Sequence, residues 1–211
     1  MKIVKPGFEI LGNVNSAAIL QHIELCGRVC YKSEDRITDT SAEKFVAAII
    51  KRGHEAVLEH AGITVKFIVD RGVSHEIVRH RLAAYCQEST RYCNYSLGKH
   101  GGEITVIKPL YLVEGTPGYE FWEDACKMAE SNYFDLLEFG CSPQEARAVL
   151  PNSLKTEVVM TANLREWRHF FRLRTAEAAH PQMREVTIPL LRRMKELVPV
   201  VFDDIGLEVE K

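Results

Sequence analysis

The chain has 211 residues, 46% of them hydrophobic and 27% charged, with a formal net charge of -2. These values describe an ordinary globular protein and argue against one held mainly by a nucleic-acid backbone, which shows a basic excess. The apolar runs at 45–50 and 197–202 fall far short of the roughly 20 residues that span a bilayer, and no apolar stretch follows the first lysine, so a cytoplasmic protein with one domain over residues 1–211 is expected.

In chain order, residues 16–28 read as a helix with Ser16 as N-cap. Residues 40–52 read as a second, capped by Ser41 and ended by Gly53, with Phe45, Val46, Ile49 and Ile50 at helical spacing. Over 63–69, Ile63, Val65, Phe67 and Val69 alternate with Thr64, Lys66 and Ile68, which gives a strand with one richer apolar face. Residues 73–85 read as a helix opened by Ser74, 92–102 as a polar loop, and 103–107 as a short strand stopped by Pro109. A long helix over 119–138 ends at Gly140. Ser142 and Pro143 open another, which runs through Arg147 to Leu150, where Pro151 breaks it. Residues 155–162 form a strand candidate, 164–174 a helix, and 181–198 a helix with Pro189 as a kink or early break. Helices and a few strands without strict βαβ alternation favour an α+β fold over a doubly wound sheet.

Six cysteines occur without a C-x-x-C pair or zinc-finger spacing, so free thiols and no metal site are expected. His54, Glu55, Glu59 and His60 have the wrong spacing for a zinc motif: two ligands four apart share a helix face, whereas six apart do not. Ser89 lacks an adjacent base and a G-x-S-x-G elbow. Neither GxGxxG nor a P-loop appears, so nucleotide binding would need another design.

Two segments concentrate guanidinium groups: Arg79-His80-Arg81 through Ser89 and Arg91, and Asn163 through Arg174. In the second, Arg165, Arg168, His169 and Arg172 fall on one helix face, with Trp167, Phe170, Phe171 and Arg174 elsewhere. Adjacent cations cannot all be buried without anions, and arginine pairs well with phosphate. A phosphate-bearing ligand and a solvated face with carboxylate partners both satisfy such clusters.

Arg79-His80-Arg81, seven residues and Ser89, continued by Thr90-Arg91-Tyr92, resembles the signature of the flavin-dependent thymidylate synthases. The segment from Gly53-His54-Glu55 to Glu59-His60, the block Ala146-Arg147 to Leu150-Pro151, Asn163-Leu164-Arg165 with Leu173-Arg174, and His180-Pro181-Gln182 resemble further family blocks in the same order, over about residues 28 to 190. The resemblance implies an α+β fold with a mixed or antiparallel sheet packed against long helices. It implies a homotetramer with shared active sites, bound FAD, and dUMP, methylenetetrahydrofolate and NADPH as substrates, with neither nucleic acid nor membrane as partner. It places His54, Ala56, Arg79, His80, Arg81, Asn163, Arg165 and His169 at FAD. Glu76, Arg79, Gln87, Glu88, Ser89, Thr90, Arg91, Arg147 and Arg174 fall at dUMP. The chain departs from the family pattern at Cys86-Gln87, at Glu76 for a glutamine, at Ala56 for a hydroxyl residue and at His169 for an asparagine.

Carbon 5 of uracil is a poor nucleophile, and activating it leaves negative charge on the N3–O4 edge. An arginine stays protonated and stabilises that charge electrostatically. The resemblance gives this role to Arg174 and makes Ser89 a ligand contact. A non-catalytic nucleic-acid or nucleotide-binding module and a different flavin reductase on the same fold are the rival readings.

Overall fold

Two short strands open the chain, β1 (Lys2–Val4) and β2 (Gly7–Leu11), and neither shows an alternating pattern strong enough to mark it in the sequence. A computed structural model describes residues 1–98 and 101–206. The order continues α1 (Ser16–Val29), α2 (Ser41–Lys51), β3 (Gly62–Asp70), α3 (Arg71–Ile77), β4 (Ala83–Gln87), β5 (Thr105–Ile107) and α4 (Pro117–Glu138). It ends with α5 (Pro143–Ala146), β6 (Lys155–Asn163), α6 (Leu164–Arg174), α7 (Pro181–Leu197) and α8 (Pro199–Phe202). Short 3-10 turns cover Glu34–Arg36, Glu55–His60 and Arg147–Val149. This is the expected α+β class. Residues 99 and 100 of the expected loop lie outside the described residues.

The long strand and helix expectations hold closely. The alternation in β3 is a real inner face, since Ile63, Val65, Phe67 and Val69 are all buried. Gly53 and Gly140 follow α2 and α4 with φ of +73 and +90, a conformation that disfavours any Cβ. Ser142 forms a capping box with Glu145 at the start of α5. Helix α7 passes through Pro189 without a break.

Three local expectations are corrected. The cap of α1 is Asn15, whose Oδ1 accepts from the Ala18 amide at 3.1 Å, not Ser16. Ser41 does not cap α2 through its own first turn; its Oγ accepts from Thr38 N at 2.9 Å and donates to Glu24 Oε2 at 2.7 Å. The helix expected over 73–85 stops at Ile77 and is opened by Asp70, whose carboxylate accepts from Val73 N at 2.7 Å. Residues Ala83–Gln87 are a strand instead, next to β6 in the sheet. A ladder with residues about seventy positions away overrides the local helical spacing.

The chain divides into two compact units. The first comprises Met1–Gly7, Phe67–Arg79 and Tyr85–Val159. Here β1 pairs in parallel with β5, Lys2 against Thr105 and Val4 against Ile107. Tyr95, Ile104, Val106, Cys126, Tyr133, Ala146 and Leu154 form its core, with Trp122 and Phe134 of α4 against them.

The second unit comprises Phe8–Lys66, His80–Ala84 and Met160–Lys211. Its centre is the apolar side of α6: Trp167, Phe170 and Phe171 are fully buried, with ring centroids 5.3 to 5.7 Å apart. The Trp167 indole donates to Ile63 O at 3.0 Å, which ties α6 to β3. Helices α1 and α2 pack together at Gly27, where a Cβ would lie 2.6 Å from the Phe45 ring tip.

The four-stranded sheet runs β2-β3-β6-β4. Gly62 sits beside Ala162 and Thr64 bonds Thr161 at 2.9 Å, so β3 and β6 are antiparallel. Strand β6 runs directly into α6, with Asn163 at the junction as N-cap. That junction delivers most of the residues considered next.

Candidate functional site

In the second unit, the end of β6 leads through Asn163 into α6, which carries Arg165, Glu166, His169 and Arg174. Asn163 Oδ1 accepts from Glu166 N at 2.8 Å, which caps the helix and leaves the amide nitrogen as the group that side chain can offer a ligand. Asn163, Arg165, Glu166, His169 and Arg172 line a cavity of about 470 Å³, with Glu55, Glu59 and Leu82. That size suits a drug-sized or cofactor ring. Arg165 is held by Glu59 at 2.5 Å.

Arg168 does not share this role. The expected common face of Arg165, Arg168, His169 and Arg172 is split, because Arg168 is fully buried. It bonds Glu55 Oε1 at 3.0 and 3.2 Å, both oxygens of Asp204, and Val201 O. Burial alone would raise the Glu55 carboxyl, but the bonds from Arg172 and Arg168 outweigh it and hold its pKa below the ordinary value. Asp204 is held low chiefly by its bond from Arg168.

Beside the cavity lies His80, buried and flanked by exposed Arg79 and Arg81. Its Nδ1 is 3.0 Å from Glu166 Oε1, and Arg174 Nε donates to its Nε2 at 3.0 Å. A nitrogen that accepts from a guanidinium carries no proton, so the ring proton sits on Nδ1 and points at the carboxylate. Burial lowers the His80 pKa; the bond to Glu166 opposes the shift and the Arg174 charge reinforces it. The ring is therefore neutral at pH 7. The carbonyl of Arg174 accepts from Thr187 Oγ1 of α7 at 2.8 Å, which fixes the helix end.

His80, Glu166 and His169 also bring ligand-type atoms within 4.8 Å of one another. Both His80 nitrogens and a Glu166 oxygen are already engaged, and Arg174 supplies a positive charge at the same ring, so the arrangement suits hydrogen bonding better than a cation.

His54 and Ala56 line a different, larger cavity of about 980 Å³, with Arg28, Arg36, Lys44, Arg52, Tyr31 and Phe45 among its walls. The second unit thus brings His80 and Arg174 together beside the Asn163–Arg165–His169 wall, while His54 and Ala56 face another opening.

In the first unit, a cavity of about 230 Å³ is lined by Arg71, Thr90, Arg147, Ala148, Leu150, Pro151 and Asn152. Arg147 Nη1 donates to the buried Thr90 hydroxyl at 3.3 Å. This wall carries two guanidinium groups, a hydroxyl and no carboxylate, which suits a phosphate dianion. Buried Arg71 Nη1 has no hydrogen-bond partner among the described residues. Sequence reasoning passed over Arg71, whose signal was its place at the start of a helix that leads into the Arg79-His80-Arg81 run.

The remaining nucleotide candidates are tied into the scaffold. Gln87 Nε2 donates to Ser74 Oγ at 3.0 Å and Thr156 Oγ1 at 3.3 Å. Glu88 accepts from Lys155 Nζ at 3.1 Å and from the Tyr95 hydroxyl at 3.2 Å. Ser89 Oγ accepts from Arg91 N at 3.3 Å, and the Arg91 guanidinium lies 5.3 Å from the Tyr92 ring centre. Glu76 lies on α3, one turn before Arg79, whose amide donates to the Glu76 carbonyl at 3.3 Å.

The chain matches a family model described as "Thymidylate synthase complementing protein" over residues 15–200. It is 32% identical to the flavin-dependent thymidylate synthase of Geobacter sulfurreducens, covering 90% of this chain and 86% of that one. It is 35% identical to that of Pyrococcus furiosus, covering 82% and 70%. The fold is similar to a solved UMP/dUMP methylase, PolB from Streptomyces cacaoi bound with 5-Br dUMP, with a TM-score of 0.77, 23% identity and 96% of each chain covered.

Proposed function

The chain belongs to the thymidylate synthase complementing protein family, and on that premise we propose that it is an enzyme that methylates the uracil ring of dUMP. The observation that carries this reading is the meeting of His80 and Arg174 at 3.0 Å across 94 positions of sequence, beside the wall of Asn163, Arg165 and His169. A solvated basic face would not bury a histidine between a carboxylate and an arginine.

The reading extends to FAD as cofactor, with methylenetetrahydrofolate and NADPH as co-substrates. The donor set fits a flavin: an asparagine amide, an imidazole and guanidinium groups match ring carbonyls and phosphates, and the cavity has the size of a cofactor subsite. When bound, reduced flavin supplies the hydride and the folate supplies the carbon.

The chain's own residues position and polarise. Arg174 stabilises the negative charge that develops on the N3–O4 edge of the pyrimidine, and acts as a fixed charge rather than a proton donor. Arg147 and Thr90 hold the nucleotide phosphate. Arg79, Arg81, Arg91, Glu76, Gln87, Glu88 and Ser89 complete the nucleotide and flavin contacts, and His54 and Ala56, on the wall of the separate larger cavity, meet the flavin bound by another protomer. Each site draws on more than one protomer of a homotetramer, in the cytoplasm.

Release of tritium from 5-labelled dUMP tests this, with FAD, methylenetetrahydrofolate and NADPH each omitted in turn. Release that depends on all three supports the reading. A yellow protein that oxidises NADPH without releasing tritium favours a different flavin reductase, and colourless protein with salt-dependent nucleic-acid binding favours a binding module.

A further inference from the structure

We infer that Glu166 is a positioning residue that sets the orientation of Arg174 through His80. The inference rests on the role proposed for Arg174, and it concerns a carboxylate that no sequence motif marked.

Three observations carry it. Glu166 is 6% exposed although it sits in the first turn of α6, where an acid normally reaches solvent. Its Oε1 is 3.0 Å from His80 Nδ1, 86 positions away in sequence. On the far side of the same ring, Arg174 Nε lies 3.0 Å from Nε2. Only one proton arrangement satisfies both contacts. If Nε2 carried a proton, two donors would face each other at that distance. If both nitrogens carried one, the buried ring would be a cation against a guanidinium, which burial and the Arg174 charge both oppose.

Glu166 therefore selects the tautomer, as a carboxylate does behind a histidine in other sites. The unprotonated Nε2 then anchors Arg174 at Nε and fixes the plane of its guanidinium. A fixed plane is what an electrostatic role needs, because a donor that must reorient during the reaction stabilises less. His169 is a further titratable group at the ring, with its centroid 5.7 Å from that of His80.

The test uses the full-length protein and two readouts. In 15N spectra of histidine-labelled protein, assigned by loss of signals in His80→Gln, His80 should show an unprotonated Nε2 and a protonated Nδ1. Glu166→Gln, nearly isosteric, exchanges the carboxylate for a weaker amide acceptor, so the Nδ1–H signal should move toward weaker hydrogen bonding. The substitution should also lower kcat for tritium release by about tenfold to a hundredfold, with KM for dUMP and flavin content little changed. His80→Gln keeps an amide oxygen for Arg174 and should retain more activity than His80→Ala. Adding Glu166→Gln to His80→Gln should cost nothing further. A protonated Nε2 in the wild type, an unchanged Nδ1–H signal in Glu166→Gln, or equal and additive losses in the double variant would overturn the inference. A wild type without dUMP turnover would refute the proposed function, and the spectra would still decide the relay.

Discussion

Arg168 and Asp204 meet fork to fork, with Nη1 2.6 Å from Oδ1 and Nη2 2.7 Å from Oδ2. The guanidinium is fully buried and also serves Glu55. Arg168 is buried but Asp204 is 49% exposed and Glu55 keeps Arg172, so water and Arg172 compensate part of the loss, and Arg168→Ala should lower the unfolding free energy by about 1.5–3 kcal/mol. Urea denaturation at pH 7 measures this, and a loss below 1 kcal/mol would contradict the assignment.

The same cluster predicts acid sensitivity. Glu55 and Asp204 have pKa values lowered from ordinary values of 4.5 and 3.8. Groups with depressed folded-state pKa contribute stability that is present above the ordinary values and lost as pH falls through the folded ones. The urea midpoint should therefore drop below about pH 4.5 in the wild type, and should drop less in Arg168→Met, where Asp204 has lost its fork and Glu55 keeps only Arg172.

His80 predicts a second, higher window. Its folded pKa is depressed from 6.5, so the unfolded chain takes up the proton first and stability declines as pH falls below 6.5. Glu166, Arg174 and His169, all from α6, are charged or titratable groups that act on the ring. A wild-type midpoint that falls between pH 7 and 5.5 more steeply than that of His80→Gln would bear this out.

Arg174→Ala should retain FAD but lose about a hundredfold to a thousandfold in kcat, the usual effect of deleting one preorganised donor. Near-normal turnover would remove Arg174 from the proposed role.

Arg147→Ala should act on binding. A hydrogen bond to a charged group is worth about 1.5–3 kcal/mol, so KM for dUMP should rise by about tenfold or more with kcat less affected. Deoxyuridine, which lacks the phosphate, should show little difference between wild type and variant. An equal loss on both would place Arg147 outside a phosphate site.

Periodicity was informative where an element is long and its burial one-sided. Strand β3 and helix α6 could be read from the spacing of Ile63, Val65, Phe67, Trp167, Phe170 and Phe171, because each side chain answers to the same core. Strand β4 could not, because Ala83–Gln87 is extended only by virtue of its sheet neighbour β6, and nothing local encodes a partner that distant. The arginines at 147 and 174 were visible through a family resemblance rather than through physics, since a guanidinium in a helix looks the same whether it meets solvent, a carboxylate or a ligand. Arg168 makes the point, identical in spacing to its neighbours yet wholly internal. Glu166 was hidden for the converse reason: one acid amid basic residues reads as a charge complementing the helix dipole, until the fold brings His80 to it.

Gly27 has a consequence for engineering. The place of its missing Cβ is 2.6 Å from the tip of the Phe45 ring, and that ring supports the Arg28 guanidinium at 4.7 Å and walls the larger cavity. One added methyl would have to swing the ring, so Gly27→Ala would reshape the opening through its own wall, moving an aromatic face without substituting any charged side chain around it.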